Sequence, residues 1–105
     1  MIARIWHGKT SEANFEKYSE FLTNVAVPDY SKTPGFKGLV FLRSIKNGEA
    51  HFNLITYWEN LGVIKNFAGD DFEKAKYYPE DDGFLLEFEE KVTHYEVFES
   101  INPPH

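Results

Sequence analysis

Periodic segments follow one another in the order strand, helix, strand, strand, helix, strand within 105 residues, and that order leaves few folds open. Ile2–Gly8 is read as a strand and Phe15–Val25 as an amphipathic helix. Phe36–Ile45 and Glu49–Trp58 are read as two strands joined across Asn47-Gly48. Leu61–Ala68 is read as a second helix and Val92–Glu99 as a last strand. This is the split βαββαβ, ferredoxin-like arrangement of the α+β class. Such a sheet carries its helices on one face, so its other face is polar or meets a partner.

Asn47-Gly48 is the strongest local signal, because both residues accept the positive φ of a type I′ hairpin turn. A two-residue loop pairs Lys46 with Glu49 and sets the register from there: Ser44 opposite His51, Arg43 opposite Phe52, Phe41 opposite Leu54 and Leu39 opposite Thr56. Side chains alternate across a strand. One face then carries Leu39, Phe41, Phe52, Leu54, Thr56 and Trp58, and the helices are expected there. The other carries Val40, Leu42, His51, Asn53, Ile55 and Tyr57, mixing apolar with hydrogen-bonding groups. In this topology the first strand lies between the third and the fourth. The expected register puts Ala3, Ile5, His7, His94 and Glu96 on the mixed face, and Ile2, Arg4, Trp6, Tyr95 and Val97 on the helix side. A one-residue slip reverses any of these assignments.

The first helix is expected to start near Thr10, to turn Phe15, Tyr18, Leu22 and Val25 inward, and to stop at Pro28. The second begins at Asn60, turns Leu61, Ile64 and Phe67 inward and ends at Gly69. Asp70–Tyr78 is read as a further short helix broken by Pro79.

Composition narrows the function classes. Aromatic residues make up 17% of the chain, more than one small core usually hides, which points to a dimer interface, a ligand pocket or both. The net charge is −6 and Lys and Arg do not cluster, so neither nucleic acid nor an anionic membrane is an expected partner. Without cysteine there is no thiol nucleophile and no Cys-based metal site. Met1–Thr10 has no long apolar run, and a cytoplasmic location is the default expectation. Residues 1–100 are expected to form one domain and 101–105 a flexible tail.

The residues Ile2-Ala3-Arg4-Ile5-Trp6, Tyr57-Trp58-Glu59-Asn60 leading into Ile64 and Phe67, and Thr93-His94-Tyr95-Glu96-Val97 resemble the antibiotic biosynthesis monooxygenase superfamily of dimeric α+β barrels. The run from Phe67-Ala68-Gly69-Asp70-Asp71 to Tyr77-Tyr78-Pro79-Glu80-Asp81 is similar to an uncharacterised branch of it. The resemblance implies a homodimer packed sheet to sheet. It also implies a small aromatic ligand of phenol, hydroquinone or anthrone type, oxidised with no cofactor and no metal. On this reading His94 or His7 is the base and Arg4 or a tyrosine steadies the anion. The pocket is expected among Trp6, Trp58, Phe67, Tyr77, Tyr78 and Asn53. The haem-degrading branch uses a Trp at the end of the third strand, a His on the later helix and an Asn in the first strand. Trp58 matches the first, no His stands between His51 and His94, and Arg4 occupies the strand-one position; Tyr77 or Tyr78 would have to ligate iron. A non-catalytic, ligand-binding or stress-associated dimer is the other alternative.

Read as residues alone, several candidates keep more than one meaning. Trp58 is a core tryptophan or the wall of a pocket. Arg4 is half of a buried ion pair or a bidentate clamp for an anion. His7 and His94 are proton-transfer groups, metal ligands together with His51 or Glu96, or ordinary interface or surface histidines. Tyr77, Tyr78 and Asp81 lie in a connection long enough to be a lid or an interface.

Overall fold

The computed structural model describes residues 1–101; beyond Ile101 the expected tail lies outside the described residues. In chain order the elements are β1 (Ile2–Ser11), α1 (Phe15–Phe21), α2 (Val27–Ser31), β2 (Phe36–Lys46), β3 (Glu49–Trp58), α3 (Leu61–Ala68) and β4 (Thr93–Glu96). The strands form one antiparallel sheet in the order β2-β3-β1-β4, with the helices on one face, as the ferredoxin-like reading requires. No helix among the described residues is long and apolar enough to cross a membrane.

The hairpin fixes the centre of the sheet. Asn47 and Gly48 both take positive φ, 54° and 78°, and the pairing of Lys46 with Glu49 runs on through Phe41–Leu54 to Leu39–Thr56. Phe52, Leu54, Thr56 and Trp58 are consequently buried under the helices, while His51, Asn53, Ile55 and Tyr57 stay half-exposed on the other face. β1 continues the alternation, with Arg4 opposite Thr56 and Trp6 opposite Leu54 on the covered side.

β4 departs from the expected register by one residue. Arg4 pairs with His94 and Ala3 with Tyr95, so His94 lies on the covered face and Tyr95 on the open one. The strand is only four residues long and alternates Thr, His, Tyr and Glu. No apolar stripe there separates one register from the other, and a one-residue shift reverses every side chain.

The first helical segment runs past Pro28. A wide turn over Leu22–Ala26, in which the Val27 N–H bonds to the Leu22 carbonyl, joins α1 to α2, and Pro28 sits in the first turn of α2. In an unbroken α-helix the ring of Pro28 meets the carbonyl four residues back; the wide turn opens the ladder at that point. It also changes which side chains face inward. Tyr18, Leu22, Ala26 and Tyr30, spaced by fours, form the buried row, and Val25, expected inward, is exposed. Steps of four drift around an α-helix of 3.6 residues per turn, and the wide turn takes up that drift.

α3 starts at Asn60, whose Oδ1 accepts the Val63 N–H at 3.1 Å, and ends at Gly69 with φ 84°. Ile64 and Phe67 are buried, while Leu61 in the first turn is exposed. Asp70–Tyr78 is not a helix. It runs as an extended strap beside the segment before β4, joined by the Lys74–Lys91 bridge and the bonds Ala75 N–H to Glu90 O and Val92 N–H to Glu73 O. Helical turning comes later, in a short 3₁₀ turn at Pro79–Gly83. Pro79 opens it, where a missing N–H has no cost. Asn60→Ala removes a capping acceptor and should lower the unfolding free energy by about 1 kcal/mol; urea denaturation with an unchanged slope checks this, and no loss of stability shows the cap to be idle.

Candidate active site

Arg4 is 2% exposed in the middle of the covered face. Its guanidinium has no carboxylate partner among the described residues. Nη1 donates to the carbonyl of Phe72 and meets His94 Nε2 at 3.2 Å, and Nη2 donates to the carbonyl of Lys74 at 3.1 Å. The charge is thus met by two strap carbonyls and an imidazole lone pair. Burial pulls the Arg4 guanidinium below its ordinary value, with Tyr30 nearby opposing this. Since arginine only donates, His94 accepts through Nε2 and carries its proton on Nδ1. Burial and the charge of Arg4 hold the His94 imidazole below its ordinary pKa, against the weaker pull of Glu73.

Beside Arg4 on the same face of β1 stands Trp6. Its ring lies flat along the strand over Gly8, where a Cβ would come within 2.3 Å of Trp6 Cη2. Trp6 lines a small hollow between the α1–α2 row, the sheet and the strap, together with Tyr18, Tyr30, Leu54, Tyr78 and Asp81. The free space is about 10 Å³, roughly the room of one water. Trp6 Nε1–H is buried and has no acceptor.

Asp81 is the acid group of this hollow and is 2% exposed. Oδ1 accepts the Tyr18 hydroxyl at 2.8 Å and Oδ2 accepts the Tyr78 N–H at 2.7 Å. Burial pushes the Asp81 carboxyl above its ordinary value, and the two hydrogen bonds only partly offset this. Tyr78 in turn donates its hydroxyl to Asp29 Oδ2 at 2.6 Å, which Lys76 Nζ also reaches at 3.2 Å. Burial raises Asp29, but the bonds from Tyr78 and Lys76 and the charges of Lys76 and Lys32 outweigh it and hold that carboxyl low. The two aspartates on this network are therefore driven in opposite directions, a pattern that separates an acid–base group from a fixed anion.

His7 does not share this site. It lies on the open face, with Nδ1 bonded to the Glu89 carboxylate and Nε2 facing His51 Nδ1 at 3.2 Å; His51 Nε2 is 3.9 Å from Glu49. The expected meeting of His7 with His94 does not occur, because the slipped register of β4 puts them on opposite faces. Asn53, opposite His7, is also on the open face. Trp58 is fully buried, donates to Thr56 Oγ1 at 2.8 Å and packs on Tyr30, Phe36 and Phe67. Phe67 stacks on Tyr30 at 4.2 Å under the Lys76 ammonium. Tyr77 packs edge-on to Trp6 and donates to the Glu89 carbonyl. Of the expected pocket residues, Trp6 and Tyr78 line the hollow. Asp81, Tyr18, Tyr30, Leu54 and Lys76 line it as well. The Pro79–Asp81 spacing, a helix-start pattern that turns an acidic side chain back on the backbone, is the sequence signal that marks Asp81.

No protein-family model and no curated protein sequence matches the chain. Solved structures do. One from Nitrosomonas europaea, provisionally named an antibiotic biosynthesis monooxygenase, superposes with a TM-score of 0.68 at 16% identity, over 94% of this chain and all of that one. The chain has the antibiotic biosynthesis monooxygenase fold. A monooxygenase of Streptomyces coelicolor solved with nanaomycin D superposes with a TM-score of 0.60 at 18% identity, over 98% of this chain and 91% of that one. The haem degrader MhuD of Mycobacterium tuberculosis, solved with two haems in its active site, gives 0.57 at 18% identity, over 97% of this chain and 100% of that one. One fold carries different chemistries, so the reaction of this chain has to be argued from its own side chains.

The depressed His94 fixes the sign of one pH effect. Between the unfolded value near 6.5 and the lower folded value, the unfolded chain holds a proton that the folded chain does not. Stability therefore falls as pH drops through that window, by at most about 1.4 kcal/mol per pH unit for one proton. His94→Gln should flatten the denaturation midpoint between pH 7 and 5, and an unchanged slope removes His94 from the balance.

Proposed function

We propose that this protein is a cytosolic homodimeric oxygenase that oxidises a small aromatic of phenol, hydroquinone or anthrone type without a cofactor. The observation that carries the reading is Asp81, a buried carboxyl with a raised pKa in a hollow walled by Trp6, Tyr18, Tyr30 and Tyr78. A carboxylate whose affinity for protons is raised is a stronger base than one in water. Each of its oxygens keeps a lone pair beyond the bond it already accepts. The fold shared with a monooxygenase solved with nanaomycin D supports the same reading.

For an anthrone-type substrate the steps balance as follows. Asp81 takes a proton from the acidic CH₂, and the charge spreads to the conjugated oxygen. The carbanion bonds to O₂, which is reduced to the peroxide level. Loss of the second proton from the same carbon breaks the O–O bond, leaving a new carbonyl and water. One oxygen atom enters the product and the other leaves as water. Tyr18 and Tyr78, held protonated by burial and by Asp81 and Asp29, are not bases, and their hydroxyls are committed to those carboxylates. The present hollow holds about one water, so admitting a ring requires displacement of the segment around Tyr78, while Arg4 keeps Phe72 and Lys74 in place. The haem alternative needs a tyrosinate. The Tyr78 hydroxyl is engaged by Asp29 and the Tyr77 hydroxyl by Glu89, and burial pushes Tyr77 up to about 12.

The open face, with Val40, Leu42, Ile55, Tyr57 and Tyr95, supports the homodimer. These side chains, interleaved with His7, His51 and Asn53, are apolar surface that water would otherwise cover. Ile55→Lys should convert a dimer to a monomer in sedimentation; a wild-type monomer ends the homodimer reading, and a dimer indifferent to the change places the contact elsewhere. Oxygen uptake should exceed autoxidation with anthrone or a substituted hydroquinone. Asp81→Asn, confirmed folded by circular dichroism, should lower that rate by about 100-fold or more. No uptake with any member of such a panel leaves the ligand-binding dimer, and full activity in Asp81→Asn assigns the base elsewhere.

A further inference from the structure

We infer that Trp6 is the anchoring donor of the hollow, its Nε1–H binding an acceptor oxygen, carbonyl or phenolate, of the aromatic ligand. This rests on the hollow being the reaction site, as proposed above.

The chain's two tryptophans make the contrast. Trp58 Nε1–H is satisfied inside the core by Thr56 Oγ1 at 2.8 Å. Trp6 Nε1–H is equally out of reach of solvent and meets nothing. A buried donor without an acceptor is costly and uncommon, and here it belongs to a ring that lines a hollow. Its neighbours there do not relieve it. Tyr18 donates to Asp81 and Tyr78 donates to Asp29, and neither carboxylate lies within hydrogen-bonding reach of the indole.

The indole is also held still. Gly8 gives it a flat bed on the strand, since any larger residue would collide with the ring at 2.3 Å, and Tyr77 closes on its edge at 6.0 Å between centroids. A donor fixed before the ligand arrives needs no reorganisation as negative charge grows on the oxygen it holds. Asp81 on the same hollow removes the proton that generates that charge. The ligand implied is an aromatic carrying an acceptor oxygen conjugated to its acidic position. A plain hydrocarbon ring would leave the Trp6 donor as unsatisfied as before.

The test uses the intact ¹⁵N-labelled protein, whose spectrum has two indole N–H signals, assigned by the one that vanishes in Trp6→Phe. The probes are 1-tetralone and tetralin, the same skeleton with and without the ketone. 1-Tetralone should move the Trp6 signal downfield, leave that of Trp58 in place, and bind about tenfold more weakly to Trp6→Phe, the loss expected for one hydrogen bond. Tetralin should not move the Trp6 signal downfield. A bound tetralone that leaves the Trp6 signal unmoved overturns the inference, as does failure of tetralone to bind or equal affinity in Trp6→Phe. The wild-type spectrum decides even if the variant folds poorly. The two readings fail separately. Tetralone seated on Trp6 in a protein that consumes no oxygen ends the oxygenase reading alone. Undiminished oxygen uptake in a folded Trp6→Phe ends the role of Trp6 alone.

Discussion

A buried guanidinium without a carboxylate holds the covered side of this protein together. Arg4 sits in the centre strand and takes hold of the strap by its own backbone, at the carbonyls of Phe72 and Lys74, while His94 on the edge strand takes the remaining contact. Removing such a charge from water is expensive unless every donor is met. The strap therefore has to lie where it does. Its extended course is held as well by the bonds from Ala75 N–H to Glu90 O and from Val92 N–H to Glu73 O, and Tyr77, Tyr78 and Asp81 follow further along.

From that anchor the polar groups form one chain. Tyr18 on α1 meets Asp81, Asp81 meets the Tyr78 backbone, and Tyr78 meets Asp29 on α2, where Lys76 closes the network from the strap. Each link joins the helix row to the connection that faces it. Networks of this kind specify one packing when every member is satisfied. The four-residue spacing of Tyr18, Leu22, Ala26 and Tyr30 matters here, because only the wide turn at Leu22–Ala26 keeps that row facing the sheet and strap at both ends.

Much of this was legible in the chain and some of it was not. The Asn47-Gly48 turn fixed the register of β2 and β3 as far as Gly38 opposite Tyr57, where an irregularity shifts it, and the alternation of apolar residues then sorted Arg4, Trp6, Phe52 and Trp58 onto the covered face. β4 escaped because Thr93, His94, Tyr95 and Glu96 have no apolar side to bury, so the register is set by the bond between His94 and Arg4, a tertiary event. The helix beyond Pro28 escaped because a wide turn leaves no local residue signature. The hollow was half visible. Trp6 and Tyr78 could be suspected as aromatics, whereas Asp81 gains its meaning only when Tyr18, 63 positions away, is folded against it.

The two faces of the sheet therefore divide the ionisable groups by environment. On the open side His7, His51, Glu49 and Glu89 lie in contact with one another, and each is partly solvated. On the covered side the charges are few and shifted in different directions: Arg4 held by carbonyls and lowered by burial, Asp29 held low by a phenol and a lysine, and Asp81 held high by burial. Of these only the last is both pushed toward its protonated form by burial and set on the lining of the hollow. The same hollow holds the unsatisfied indole donor of Trp6. A proton acceptor and a fixed donor together, with aromatic walls, are what a site needs to ionise a phenol-like molecule and to steady the oxygen that receives the charge. A purely structural core would have had reason to pair that donor, as the core around Trp58 does.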